Sequence, residues 1–186
     1  MRRAAKAEQT VVALKEAAKR LFAARGYLNT KITDILGEAG RSAGVFYDHF
    51  ASKEELLDAL IADFKADAAA QSHNMGHDLT NRADLRAHIE VFWRTYEKHL
   101  PVMVAMYQAS IVDPGRFREH LSTNVLSAHL GSDLVASAVS SMLLQFAYVW
   151  LATDGQAPGG LDRPVPTADE AINTLTDLIH TGISDT

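Results

Sequence analysis

The sequence contains no cysteine. That excludes a disulfide framework, a thiolate nucleophile and a cysteine-ligated zinc site, and it fits a reducing, cytoplasmic compartment. Proline occurs five times and tryptophan twice, so long stretches are free of helix breakers. No stretch alternates apolar and polar residues as a half-buried strand would, and no segment repeats. Long apolar runs are missing as well. The longest, residues 142–152, is interrupted by Gln145 and falls short of the ~20 residues of a membrane span, so none is expected. The opening MRRAAKAEQT leads into an amphipathic pattern carrying Lys15, Lys19 and Arg20, unlike the continuous apolar core of a signal peptide.

What is present is an ordinary globular composition, 47% hydrophobic and 22% charged, with an uneven charge. Residues 1–53 hold ten Lys/Arg against five Asp/Glu, whereas the rest of the chain is strongly acidic, giving a net charge of -5 overall. A basic front on an acidic body suits a polyanion partner at one end only; the plainer alternative is a solvated helix surface.

Apolar spacings of three and four predict an all-α chain of about nine helices. Val11, Leu14, Ala18, Leu21 and Phe22 mark the first, stopped by Gly26. Ile32, Ile35, Leu36 and Ala39 mark a two-turn helix ending at Gly40. Ser42 can cap a third containing Val45, Phe46 and Phe50, and Ser52-Lys53-Glu54-Glu55 reads as a capping box for a fourth. Periodicity lapses over residues 71–81, a candidate boundary between a small front unit and the rest. Leu85 to Leu100 and Val102 to Ile111 follow, then a stripe from Phe117 to Leu126, a long apolar helix over 133–152, a Gly/Pro-rich stretch, and a last helix capped by Thr167 and Glu170.

Two short helices joined by a glycine turn and preceded by a longer helix form a helix-turn-helix pattern, whose second helix enters the DNA major groove. The wording sharpens it: LFAARGY at 21–27, Thr30, Ile32, Asp34-Ile35, Glu38-Ala39-Gly40, Ser42-Ala43-Gly44-Val45-Phe46-Tyr47-Asp48-His49-Phe50 and Ser52-Lys53-Glu54-Glu55-Leu56-Leu57. Residues 10–65 closely resemble the DNA-binding domain of TetR-type transcriptional regulators; the remainder resembles them in architecture. The resemblance implies a helix-turn-helix domain at 1–52, linked through a helix over 53–69 to a ligand-binding and dimerisation domain at 53–186. It implies phosphate contacts from Thr30, Tyr47 and Lys53, and approach to the bases by Ser42, Ala43 and Gly44. A hydroxyl, a phenol and an ammonium all donate to phosphate, and small residues let a helix enter the groove closely. Arg41 and Asp48 are further candidates, and His49 is expected to pack or to touch the DNA backbone. The chain departs from the family pattern at Lys31, at Leu36-Gly37 and at Arg41; the two cations point to altered phosphate contacts or sequence preference.

Phe92, Trp93, Tyr96, Met103, Met106, Tyr107, Phe117, Met142, Phe146 and Trp150 stand on segments that family architecture places around a cavity. With Gln145 as a polar group they imply a mainly lipophilic small-molecule effector; the alternative is a filled core. The last two helices resemble the pair that joins subunits of a homodimer. The expected function is therefore a ligand-responsive repressor of a double-stranded, pseudo-palindromic operator. The alternatives are an all-helical enzyme or small-molecule carrier with a vestigial head, and a protein-binding adaptor.

Two other patterns lead elsewhere. Gly40-Arg41-Ser42-Ala43-Gly44 has the G-x-S-x-G spacing of a hydrolase nucleophile elbow, which needs a strand entering the turn; here the entering segment is helical, so no catalytic residue is assigned. His73 and His77 have metal-ligand spacing without a third ligand, so neither metal nor cofactor is expected.

Overall fold

The computed structural model describes residues 2–76, 78–116, 133–152 and 166–184. Among these stand eight α-helices, one π-helical segment and no strand, as the apolar periodicity predicts. Phe117, His77 and the stripe up to Leu126 lie outside the described residues.

Contacts divide the chain into two compact units, residues 1–63 with 101–114, and residues 64–100 with 115–186. The first unit holds α1 (Arg2–Arg25), α2 (Ile32–Ala39), α3 (Ala43–Tyr47), the first half of α4 (Lys53–Ser72) and nearly all of α6 (Leu100–Val112). Leu14, Ala17, Ala18 and Phe22 put one apolar stripe of α1 into the core with Ile35 and Leu36 of α2, Phe46 of α3, and Leu56, Leu57, Leu60 and Ile61 of α4, all buried. Ion pairs fasten the rim: Lys15 to Asp63 at 2.8 Å, Arg20 to Glu38 at 2.8 Å and Arg25 to Asp34 at 3.1 Å. Lys15 also donates to the Ala59 carbonyl.

α2 ends where Gly40 turns left-handed, φ +61°, which lets the Gly40 and Arg41 amides close onto the carbonyls of Gly37 and Leu36. That geometry suits glycine and strains a residue with a Cβ. Inside α2, exposed Gly37 has open space where a Cβ would stand, so it costs about 1 kcal/mol of helix propensity against Ala. α3 has five residues, too few to persist alone. Phe46, fully buried and stacked obliquely on buried Phe50 at 5.8 Å, pins it; burying such a side chain is worth about 1.5–3 kcal/mol. Phe50 is thus the core residue its spacing suggests.

The second unit pairs α5 (Arg82–Lys98) with α8 (Ala168–Ser184). Asn81 caps α5 by accepting the Ala83 and Asp84 amides, and Thr167 with Glu170 forms the expected capping box of α8. Leu85, Ile89, Trp93 and Tyr96 on α5 and Ala171, Ile172, Leu175 and Ile179 on α8 are buried. Arg82 bonds Asp177 while Arg86 bonds Asn173 and Asp169, so residue numbers rise on α5 as they fall on α8: the two are antiparallel. The rear of α4 is clasped to the end of α5 by Asp67, which accepts from Lys98 at 2.7 Å and His99 at 3.0 Å. Those two bonds, Lys98's above all, hold the Asp67 carboxyl below its ordinary 3.8. A depressed carboxyl contributes stability that is complete above the unfolded-state value and is lost as pH falls through the folded value. Asp67→Asn is therefore expected to lower the melting temperature at neutral pH and to flatten the acid limb of a stability-against-pH curve; parallel acid limbs for the two chains would refute the clasp.

α7 (Asp133–Ala147) runs into the π-helical segment Tyr148–Ala152. The stretch Leu134–Ala152 is long and apolar enough, by length and composition, to cross a membrane. It coincides with the long apolar helix expected over 133–152, a length and composition that the core helix of a globular protein also reaches. Leu134 is 80% exposed, and Val135 is also exposed.

Candidate DNA-binding face

Several of the contacts that fix the turn between α1 and α2 converge on Tyr27. Gly26, φ +78°, ends α1. The Tyr27 ring is buried edge-on against Phe22 at 5.3 Å. Its amide donates to Gln108 Oε1 of α6 at 2.7 Å, and its hydroxyl donates to Glu54 Oε1 of α4 at 2.7 Å. Its carbonyl, with that of Thr30, accepts from Lys53 Nζ, each at 2.9 Å. The ammonium lies 4.0 Å from the centre of the Tyr27 ring, a cation–π contact, and burial lowers its pKa against the opposing charge of Glu54.

Two of the three expected phosphate ligands thus make hydrogen bonds within their own chain. Thr30 is 1% exposed and its hydroxyl donates to the Gly26 carbonyl at 2.7 Å. Lys53 commits two N–H groups to main-chain carbonyls. Both residues shape the turn that precedes α2. Tyr47, by contrast, is 58% exposed and braced edge-on by Phe46 at 5.4 Å, so its hydroxyl faces solvent on a stem that packs. Ser42, Ala43 and Gly44 are exposed at the start of α3, and a Cβ on Gly44 would meet open space. His49 is half-buried, its amide donating to the Phe46 carbonyl; Asp48 is exposed.

The charge of this face differs from what composition suggests. Lys15, Lys19, Arg20 and Arg25 are paired with Asp63, Glu16, Glu38 and Asp34. Lys31 and Arg41 are exposed, and no ion pair joins either to a carboxylate among the described residues. The departures from the family pattern are thus the uncommitted cations that bracket α2. A cation on a phosphate releases a counterion, so each such contact steepens the fall of affinity with salt by close to one in log–log slope. Arg41→Gln and Lys31→Gln are each expected to weaken duplex binding across all sequences and to reduce that slope by about one; an unchanged slope would remove the residue from the face.

The residues expected around a ligand fall in both units. Met103 and Met106 are buried and Tyr107 half-buried in α6. In the second unit Phe92 and Tyr96 stack at 5.7 Å, Trp93 packs on Phe146 at 6.1 Å, and Phe146 on Trp150 at 6.1 Å. Met142, Gln145, Phe146 and Trp150, joined by Val149, line an open apolar groove of about 310 Å³. Val149 was not expected from sequence; its place one turn after Gln145 on an apolar helix is the signal that would have found it. His73, exposed, belongs to no cluster of three or more metal-ligating side chains among the described residues.

An exposed second helix on a three-helix head, with a larger helical body beyond it in sequence, defines a helix-turn-helix protein. Residues 14–60 match the family described as bacterial regulatory proteins, tetR family. The chain is 47% identical over 51 residues to the HTH-type transcriptional repressor KstR2 of Mycobacterium tuberculosis, 27% of this chain and 26% of that one. It is 33% identical over 130 residues to the HTH-type transcriptional regulator BetI of Agrobacterium fabrum, 67% of this chain and 61% of that one. A TetR transcriptional regulator from Streptococcus agalactiae shares the fold, with a TM-score of 0.67, 18% identity and coverage of 96% and 98% of the two chains. The chain thus carries a tetR-family match in its helix-turn-helix region and shares the fold of TetR-type regulators. It spans about a quarter of the length of the first curated relative it matches, and these relatives and neighbours are named as regulators rather than enzymes.

Proposed function

We propose that this protein is a homodimeric repressor that binds a pseudo-palindromic operator through the start of α3 and releases it when a mainly apolar small molecule occupies the body. The observation that carries the reading is the exposed Ser42-Ala43-Gly44 edge with Tyr47 beside it, bracketed by the uncommitted cations Lys31 and Arg41. Small residues admit the helix to the groove, and cations with a phenol hold the phosphates on either side. The repressor names of the matched relatives support the direction of control. The functional division at residue 52 stays part of this reading: α4 starts in the head and continues toward the body.

One helix-turn-helix seldom supplies enough affinity, and two related by a twofold read half-sites about one helical turn apart. Leu134 and Val135 of α7 and Leu178 of α8, exposed apolar residues, support a second copy as the cover of those helices, in keeping with a cytoplasmic regulator rather than a membrane protein. The groove beside Phe146 supports the apolar effector. To release DNA, that effector must bind the DNA-incompetent arrangement better than the competent one; equal affinity for both would change nothing.

The test is selection from a random duplex library at near-physiological salt, wild type beside Tyr47→Ala. Enrichment of an inverted repeat by the wild type alone is expected. If neither chain enriches a sequence, even after denaturing extraction and refolding to remove a co-purified effector, the reading fails.

A further inference from the structure

Trp93 is 1% exposed, and its indole Nε1 is buried without a hydrogen-bond partner among the described residues. Buried donors are almost always paired, because an unpaired one keeps its desolvation cost with nothing in return. Indole nitrogen is a donor only, so whatever satisfies it must bring an acceptor. The Trp93 ring packs on Phe146, the residue that lines the apolar groove and in turn packs on Trp150. The groove's remaining described lining is Met142, Gln145 and Val149, with no charged side chain.

We propose that the effector is an uncharged lipophile carrying a carbonyl oxygen, a ketone, ester or lactone, whose apolar part fills the groove and whose oxygen accepts the Trp93 indole N–H once Phe146 swings aside. The inference rests on the apolar-effector reading above and narrows it to a chemical class. A hydrocarbon would leave the indole unpaired. A carboxylate would satisfy it but would enter a lining without a counter-charge, at the cost of burying an unpaired anion. A carbonyl supplies the acceptor without the charge. The flexible Met142 and the rotatable Phe146 are the side chains that make room.

The full chain is titrated with 2-undecanone and with 2-methyl-1-undecene, in which a methylene replaces the carbonyl oxygen at nearly constant shape. Binding is read by calorimetry and by the two tryptophan indole N–H signals in an isotope-labelled NMR spectrum, Trp93 being assigned by Trp93→Phe. The ketone is expected to bind about five- to tenfold more tightly than the alkene and to shift the Trp93 N–H downfield. In Trp93→Phe, which keeps an aromatic ring but lacks the donor, the preference should vanish. Equal affinity of the two compounds for the wild type, with an unmoved Trp93 signal, overturns the carbonyl inference while leaving the apolar effector standing. Binding of neither compound overturns the apolar effector and the inference with it. The comparison of compounds on the wild type stands even if Trp93→Phe fails to fold.

Discussion

Gly44→Leu is expected to leave the melting temperature close to that of the wild type and to weaken operator binding at least a hundredfold. The two effects separate because the residue faces nothing of its own chain: a Cβ there meets open space, so no packing is disturbed. Its φ lies outside the left-handed region, so no backbone conformation is lost either. Replacing glycine within a helix removes conformational entropy from the unfolded chain, and Gly44→Ala should therefore stabilise by about 0.5–1 kcal/mol. In the proposed docking the same position is where α3 comes closest to the base edges. A leucine side chain holds the helix off the groove and forfeits several contacts at once, each base contact being worth about 1–3 kcal/mol. A hundredfold loss corresponds to about 2.8 kcal/mol, within reach of one or two such contacts. The measurement is thermal unfolding beside fluorescence anisotropy on the selected operator. Wild-type affinity for Gly44→Leu would remove the first turn of α3 from the groove.

Lys53→Met should produce the reverse pattern, a large loss of stability that brings a loss of DNA binding with it. The lysine stem is matched by methionine, so the change is chiefly that of the ammonium. Two charge-assisted hydrogen bonds to the Tyr27 and Thr30 carbonyls disappear together with the cation–π contact on the Tyr27 ring. Hydrogen bonds to charged groups contribute about 1.5–3 kcal/mol and the ring contact about 0.5–1. Half-exposure and the regained freedom from desolvation reduce the sum to about 2–3 kcal/mol. For a chain of this size that is roughly a 5–10 °C fall in Tm. Duplex affinity should fall for all sequences alike, since the turn that aims α2 loosens. A lysine that only touched phosphate would leave Tm unchanged when replaced, and that result would refute the clasp.

These two positions also show what could be read from the chain before folding. Gly40 between two apolar stripes announced the turn, and the spacing of Phe46 and Phe50 announced the core beneath α3, because both signals are local: a left-handed stop and a helical period. The part played by Lys53 is not local. Its acceptors lie 26 and 23 positions earlier in the chain, and nothing in the sequence distinguishes an ammonium aimed at carbonyls from one aimed at phosphate. The same holds for Thr30, whose hydroxyl is taken up four residues back by Gly26. The charge count of the first 53 residues overstated the free positive surface, since pairs such as Arg20 with Glu38 form only when α1 and α2 meet. The capping box at Ser52 was legible in half. Ser52 accepts the Glu55 amide as expected, but Glu55 reaches back to the Ala51 amide. The grouping of α6 with the head was invisible to composition, because an almost wholly apolar helix gives no sign of which neighbour it will choose.

The bond between the Tyr27 amide and Gln108 has a practical consequence. Most amides of this all-helical chain owe their protection from solvent exchange to the helix in which they sit, and they report its melting. Tyr27 stands after the end of α1, and the acceptor of its N–H belongs to a side chain 81 residues away. Its deuterium uptake is therefore a clock for the separation of α6 from the turn, running independently of the unwinding of either helix. A ligand that displaces α6 by a fraction of a turn would quicken that one clock while its neighbours in α1 kept their pace. Signal transfer through the protein could then be timed at a single backbone proton, with no label on the DNA or on the ligand.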